Sequence, residues 1–95
     1  MNNFTIIIPI FNESESIFRL VNEIDNEFKR NLPEILIVDD GSNDDFQQKR
    51  NILKKKIKII THNKNLGKSR AMETGIMNAT NDLICIIDGD GQNPP

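Results

Sequence analysis

A single cysteine, Cys85, stands in a chain of 95 residues. No disulfide framework and no Cys-x-x-Cys metal or redox motif can therefore be built. Cys85 lies within an apolar run, where a free thiol is expected to behave as a small buried hydrophobe, and a reducing, cytoplasmic compartment is the expectation. No apolar stretch approaches the ~20 residues of a spanning helix, and the N-terminus lacks a basic segment followed by a long apolar one. The chain is therefore expected to be soluble, with no transmembrane segment and no signal peptide. Its net charge of -2 provides no electrostatic case for nucleic acid or an anionic membrane surface. Basic residues do bunch in Lys49-Arg50 and Lys54-Lys55-Lys56-Ile57-Lys58, which reads as the solvated face of a helix leading into a strand. Neither Gly-x-Gly-x-x-Gly after the first apolar run nor Gly-x-x-x-x-Gly-Lys-Ser/Thr occurs, which argues against dinucleotide oxidoreductases and P-loop NTPases.

The chain has the length of one small domain, with an ordinary globular balance of 37% hydrophobic and 27% charged residues. Four short apolar runs recur: Phe4 to Ile8, Ile35 to Val38, Ile57 to Ile60 and Leu83 to Ile87. Each is rich in β-branched residues and nearly continuous, the pattern of strands covered on both faces. Helical spacing fills the gaps. Ile17, Leu20, Val21, Ile24 and Phe28 form one stripe, with Asn12 and Glu15, or Ser14, as candidate caps and Pro33 as a barrier before the second strand. A second helix is expected over about Asp45 to Lys55, with Phe46 and Leu53 as its sparse apolar face and Asp44 or Asp45 at its positive end. A third starts near Gly67, and Ala71, Gly75 and Ala79, four apart, let it lie close to a sheet. Alternating strands and helices predict an α/β fold with a parallel sheet of about four strands and helices on both faces.

In open α/β sheets ligands bind outside the carboxyl ends of the strands, where strand order reverses. Four polar clusters fall there: Pro9-Ile10-Phe11-Asn12-Glu13, Asp39-Asp40-Gly41-Ser42, His62 to Lys68, and Asp88-Gly89-Asp90. Adjacent side chains on an extended segment point opposite ways, so one of Asp39 and Asp40 is expected to brace the Gly41-Ser42 turn. Asp88 and Asp90, one residue apart, can present hard oxygen ligands to a divalent cation that grips a diphosphate. A calcium loop is a poor alternative, because the required glycine and terminal glutamate spacing is missing. A phosphorelay receiver leaves the Pro-x-x-Asn-Glu after the first strand unexplained. A nucleotidyltransferase would show a glycine-rich, basic loop there, and Pro9 to Glu13 contains neither Gly nor Lys/Arg. His62, the only histidine, reads as loop decoration.

Taken in order, Ile8-Pro9-Ile10-Phe11-Asn12-Glu13, Val38-Asp39-Asp40-Gly41-Ser42, Asn65-Leu66-Gly67-Lys68-Ser69-Arg70-Ala71 and Asp88-Gly89-Asp90-Gly91-Gln92-Asn93-Pro94-Pro95 closely resemble the family 2 glycosyltransferases. Gln92 and the paired prolines look most like the branch that transfers a sugar to a polyprenyl phosphate, with dolichyl-phosphate mannose synthase and undecaprenyl-phosphate sugar transferases as members. The resemblance implies a GT-A fold, with residues 1–95 as its Rossmann-like nucleotide-binding half, truncated before the acceptor half. It implies a nucleotide diphosphate sugar as donor, inverting hexosyl transfer, and a polyprenyl (dolichyl or undecaprenyl) phosphate acceptor met at the cytoplasmic membrane face.

By the same resemblance, Pro9, Phe11 and Glu13 line the base and ribose pocket, with Val38 and Asp40 on its other wall. Position 11 is often tyrosine in the family, so any contact of that hydroxyl is missing here. Lys68 and Arg70, at the start of the third helix, are candidates to face phosphate. Asp88, Asp90 and Gln92 are implied to coordinate Mg²⁺ or Mn²⁺. Gly89, where alanine is frequent, is implied to leave room for the donor. Acceptor-site and catalytic residues are expected beyond Pro95, so the chain alone is expected to lack transferase activity. A non-enzymatic nucleotide-binding module, or a remnant acting through a partner, is the alternative.

Overall fold

Three consecutive isoleucines, Ile6, Ile7 and Ile8, are each almost completely buried. Successive residues of a strand face opposite ways, so such a run requires cover on both sides of a sheet. The computed structural model describes residues 3–29, 31–53 and 57–89. It contains four parallel strands, β1 (Phe4–Ile10), β2 (Glu34–Asp39), β3 (Ile57–Thr61) and β4 (Leu83–Ile86), in the order β3-β2-β1-β4. Register pairs Ile8 with Ile37 and Ile37 with Ile59, which sets equivalent side chains on one face. One core joins Ile6, Ile8, Ile10, Ile35 and Ile37 to α1 (Ser14–Phe28) and to Phe46 of α2 (Phe46–Lys49). The opposite face is smaller, with Ile7, Leu36 and Val38 packed on Ala71 of α3 (Lys68–Asn78). The expected α/β fold with helices on both faces is what forms.

The small residues of α3 do what their spacing predicts. A Cβ at Gly75 would lie 2.5 Å from Ile7 Cγ2, so the helix rests against β1 with no room for a methyl group. Pro9 is tolerated inside β1 because of its orientation. The Ile87 N–H donates to the Ile7 carbonyl, so odd positions of β1 turn their backbone groups toward β4. The β1–β4 ladder ends at Ile7 and Ile86, and the donor missing at Pro9 leaves no ladder bond unmade.

Three local expectations are corrected. Asn12 does not cap α1. Asn12 Oδ1 accepts from the Asn43 N–H, and it is Asp44 whose carboxylate accepts from the Ser14 and Phe46 N–H groups at the starts of α1 and α2. The second helix is shorter than 45–55: after Lys49 it tightens to a 3₁₀ turn over Arg50–Ile52, and Leu53 turns extended to pack on the core. Residues 54 and 55 lie outside the described residues. β4, finally, is not covered on both faces. It is an edge strand, with Leu83 68% exposed and the Cys85 thiol at the surface, because α1 packs over β1 and β2 and leaves a groove beside Phe4, Phe28 and Cys85. Among the described residues no helix is long and apolar enough to cross a membrane.

The amino end of the sheet is closed by Glu34. It accepts from the Thr5 hydroxyl (2.6 Å), the Thr80 N–H (2.8 Å) and Lys58 Nζ (2.9 Å), which ties β1, β2, β3 and the loop before β4 together. Burial pushes its carboxyl up, but the Thr5 and Thr80 donors and Lys58 outweigh burial and bring it from an ordinary 4.5 to about 2. A depressed folded-state pKa stabilises fully above the unfolded value and ceases to do so as pH falls through the folded one. Stability should therefore fall between pH 4.5 and about 2 by up to about 3 kcal/mol from this group. Urea unfolding across that range should show the loss, and Glu34→Gln should flatten it; an unchanged slope in the variant would assign the effect elsewhere. Gly75→Ala should destabilise by about 1–2 kcal/mol, since overpacking Ile7 outweighs the gain in helix propensity. A higher urea midpoint for that variant would show that Ile7 yields.

Candidate functional site

The chain leaves β1 for β2 and β3 in one direction, then returns to the other side of β1 for β4. The reversal lies between β1 and β4, where a crevice is expected at the carboxyl ends. A cavity of about 360 Å³ opens there. Its lining comes from the ends of all four strands: Pro9, Phe11 and Glu13 after β1, Asp40 after β2, Asn65, Gly67 and Lys68 after β3, and Asp88 and Gly89 after β4. Ala71 forms part of the wall from α3.

The loops after β1 and β2 are stitched together. The Asn12 N–H donates to Ser42 Oγ (2.9 Å), and the Asn43 N–H donates to Asn12 Oδ1 (2.8 Å). Asn12 takes φ 54°, a left-handed conformation that asparagine tolerates better than most residues. The Phe11 N–H donates to Glu13 Oε1 (2.9 Å), holding that carboxylate back toward the strand end. Phe11 is partly exposed at the rim, and its ring is available to a planar ligand.

Asp39 and Asp40 divide their duties as their alternation predicts. Asp39 Oδ1 accepts from the Ser42 N–H and braces the turn, while Oδ2 accepts from Gln47 Nε2. Asp40 turns to the loop after β3. Its Oδ1 receives the Leu66 N–H (2.9 Å) and faces His62 Nδ1 (2.8 Å), and its Oδ2 receives the Gly67 N–H (2.9 Å) and Asn65 Nδ2 (3.0 Å). Burial pushes the Asp40 carboxyl up, but the hydrogen bonds from His62, Leu66 and Gly67 prevail and hold it below the ordinary carboxylate range. A base N–H reaching Asp40 has to share an oxygen with one of these donors. Gly41, at φ 76°, makes the arrangement possible: a Cβ there would stand 2.5 Å from the Lys64 carbonyl carbon.

At the opposite wall, Lys68 Nζ at the start of α3 pairs with Asp88 Oδ1 at the end of β4. Asp88 thus presents hard carboxylate oxygen at the cavity edge and holds a cation there, donor chemistry that suits Mg²⁺ or Mn²⁺. Among the described residues no group of three or more His, Cys, Asp or Glu side chains gathers to hold a metal. The other expected ligands, Asp90 and Gln92, lie outside the described residues.

The structure brings together Pro9, Phe11, Glu13, Asp40, Lys68, Asp88 and Gly89. It does not bring Val38, which is wholly buried with Leu36 and Ala71, nor does Arg70, which is exposed on α3, line this cavity. Gly89 lines the cavity, and the side where a Cβ would stand lies against β1, with that Cβ 2.5 Å from Ile10 Cγ2. His62 is no loop decoration: its side chain is 10% exposed, and Nε2 lies 2.8 Å from Thr74 Oγ1 on α3. Asn65 and Gly67 belonged to a motif visible in the chain, but their partner Asp40 is 25 and 27 positions away. Nothing local signals that pairing.

Comparison with known proteins agrees with this geometry. The model of the family described as "Glycosyl transferase family 2" matches residues 5–95. A dolichol-phosphate mannosyltransferase of Pyrococcus furiosus is 37% identical over 93 residues, 96% of this chain and 26% of its own length. An undecaprenyl-phosphate 4-deoxy-4-formamido-L-arabinose transferase of Proteus mirabilis is 33% identical over 101 residues, all of this chain and 31% of its own length. The chain thus spans between a quarter and a third of these curated relatives. The mannosyltransferase PcManGT of Pyrobaculum calidifontis, solved with GDP-Man and Mn²⁺, superposes with a TM-score of 0.75 at 23% identity, over 93% of this chain and 27% of that one, which is a likeness of fold. With the family model matched from β1 through the acidic cluster after β4, the chain belongs to glycosyl transferase family 2 and has the Rossmann-like α/β fold of GT-A glycosyltransferases.

Proposed function

We propose that this chain is the donor-binding part of a glycosyltransferase that moves a hexose, with inversion, from a nucleotide diphosphate sugar to a polyprenyl phosphate at the cytoplasmic membrane face. One observation supports it most: a single cavity at the strand-order reversal collects polar residues from all four strand ends. The names of the dolichol-phosphate and undecaprenyl-phosphate relatives support the acceptor class, and GDP-Man with Mn²⁺ in PcManGT supports the donor class and the metal.

In this reading Phe11 packs on the base, Glu13 accepts from a ribose hydroxyl, and Asp40 shapes the wall between them. Asp88, with Asp90 and Gln92, would hold Mg²⁺ or Mn²⁺. When bound, such an ion neutralises the diphosphate and makes it a better leaving group. Lys68, already beside Asp88, is placed to follow the diphosphate, and the backbone N–H groups opening α3 add to that attraction. Arg70 is assigned a weaker, longer-range share of it. An acceptor phosphate is ionised at neutral pH, so aligning the two substrates does work that a strong base would otherwise do. The cavity walls belong to one nucleotide-binding half, and the chain alone is proposed to bind donor without turnover.

Calorimetry with UDP and GDP, with and without Mn²⁺, tests this. Binding of at least one nucleotide should require the metal and weaken at least about tenfold in Asp88→Ala and in Asp90→Ala. No sugar should reach a short polyprenyl phosphate under the same conditions. Binding indifferent to metal would favour a non-enzymatic nucleotide-binding module; measurable turnover would overturn the reading of the chain as a donor-binding part only.

A further inference from the structure

His62 directly follows β3 with both ring nitrogens engaged, Nδ1 at 2.8 Å from Asp40 Oδ1 and Nε2 at 2.8 Å from Thr74 Oγ1. The partners fix its chemistry. Asp40, held ionised by its donors, can only accept, so Nδ1 carries a proton toward it. In the neutral ring Nε2 is then an acceptor, and the Thr74 hydroxyl donates to it. The His62 backbone is fixed as well, since its N–H donates to the Asp39 carbonyl (2.8 Å). One side chain therefore links the end of β2, the end of β3 and the second turn of α3, within a near-buried patch where such bonds are strong.

We infer that His62 is a positioning residue of the nucleotide pocket: through Asp40 it fixes the Asn65-Leu66-Gly67 turn, and through Thr74 it fixes α3, so that the pocket wall and the helix start that carries Lys68 move as one body. The inference rests on the donor-binding reading of the cavity, but its geometry stands on the hydrogen bonds alone. Asp40 Oδ1 accepts from both His62 and Leu66, and Oδ2 from both Asn65 and Gly67. Removing the His62 donor lets the carboxylate rotate and release amides that line the cavity. Asn65, Gly67 and Lys68 are all in that lining, so the pocket is where the release is felt.

The test uses the chain with three substitutions. His62→Phe keeps a ring and removes both bonds. His62→Asn keeps a donor near the Nδ1 position and removes the link to Thr74. Thr74→Val removes the hydroxyl with little change of volume. Long-range ¹H–¹⁵N spectra should show His62 with its proton on Nδ1. The Leu66 and Gly67 amide protons should shift upfield in His62→Phe and return toward wild-type positions in His62→Asn. UDP or GDP affinity with Mn²⁺, measured where each variant is folded, should fall about tenfold in His62→Phe and largely recover in His62→Asn. Thr74→Val should lie between.

A folded His62→Phe that binds nucleotide as tightly as wild type, with only a lower unfolding midpoint, would reduce His62 to a filler and overturn the inference. A neutral ring with its proton on Nε2 alone, leaving Nδ1 no proton to donate to Asp40, would overturn it too. Should the wild-type chain bind neither nucleotide, the donor-site reading fails separately. The His62 tautomer and the Leu66 and Gly67 amide shifts then decide whether His62 positions the turn. Should His62→Phe not fold, Thr74→Val and His62→Asn carry the same comparison.

Discussion

Asp40 is the point on which the carboxyl edge of this sheet depends. A buried carboxylate is costly unless it is met by donors, and here two backbone N–H groups, an amide and an imidazole meet it. Those donors come from the connection between β3 and α3, a segment with no regular structure to hold it. The exchange works in both directions. The charge stays ionised, and a loop that would otherwise wander acquires four anchors at one residue. Asp39, on the other side of the same strand end, organises its own turn through Ser42 and reaches α2 through Gln47. The adjacent acids thus fix the two flanks of the crevice.

That arrangement explains why glycine stands at 41. The turn after Asp40 must take a left-handed φ and also pass against the backbone of Lys64 and Asn65. Either demand alone favours glycine; together they leave no room for a side chain. A larger residue would push away the loop that supplies the donors to Asp40. The same logic of close approach applies at Gly75 against Ile7 and at Gly89 against Ile10. Gly75 and Gly89 each bring one backbone onto β1, one of the two interior strands of the sheet.

Much of this was legible in the chain. Continuous β-branched runs gave four strands, stripes gave α1 and α3, and the order of polar clusters marked the edge that carries the cavity. What local reading missed has a common cause. Asp44 caps two helices, one of them 30 positions earlier, and His62 meets an acid 22 positions earlier and a threonine 12 positions later. Such pairings are made by strand register, not by spacing. The misreading of Cys85 is of a different kind. An apolar run tells that a strand is suited to burial, and it does not tell which faces of an edge strand are covered by this particular set of helices. Val38 shares a face of the sheet with Asp40, two positions on, but it lies deeper, packed with Leu36 and Ala71 away from the cavity.

The pairing of Lys68 with Asp88 shows how the two halves of the crevice meet. Lys68 opens α3, whose amino end already carries partial positive charge, and Asp88 closes β4. Neither residue is close to the other in sequence; the return of the chain across β1 brings them together. An anion entering the cavity is drawn to the lysine and the helix end, and a cation to the carboxylate. Under the proposed donor-binding reading, a metal-bound diphosphate would satisfy both at once, with Asp88 holding the metal and Lys68 facing the phosphate oxygens. Such an exchange would conserve the charge pairing on each side of the crevice, which a free anion or a free cation alone would not do.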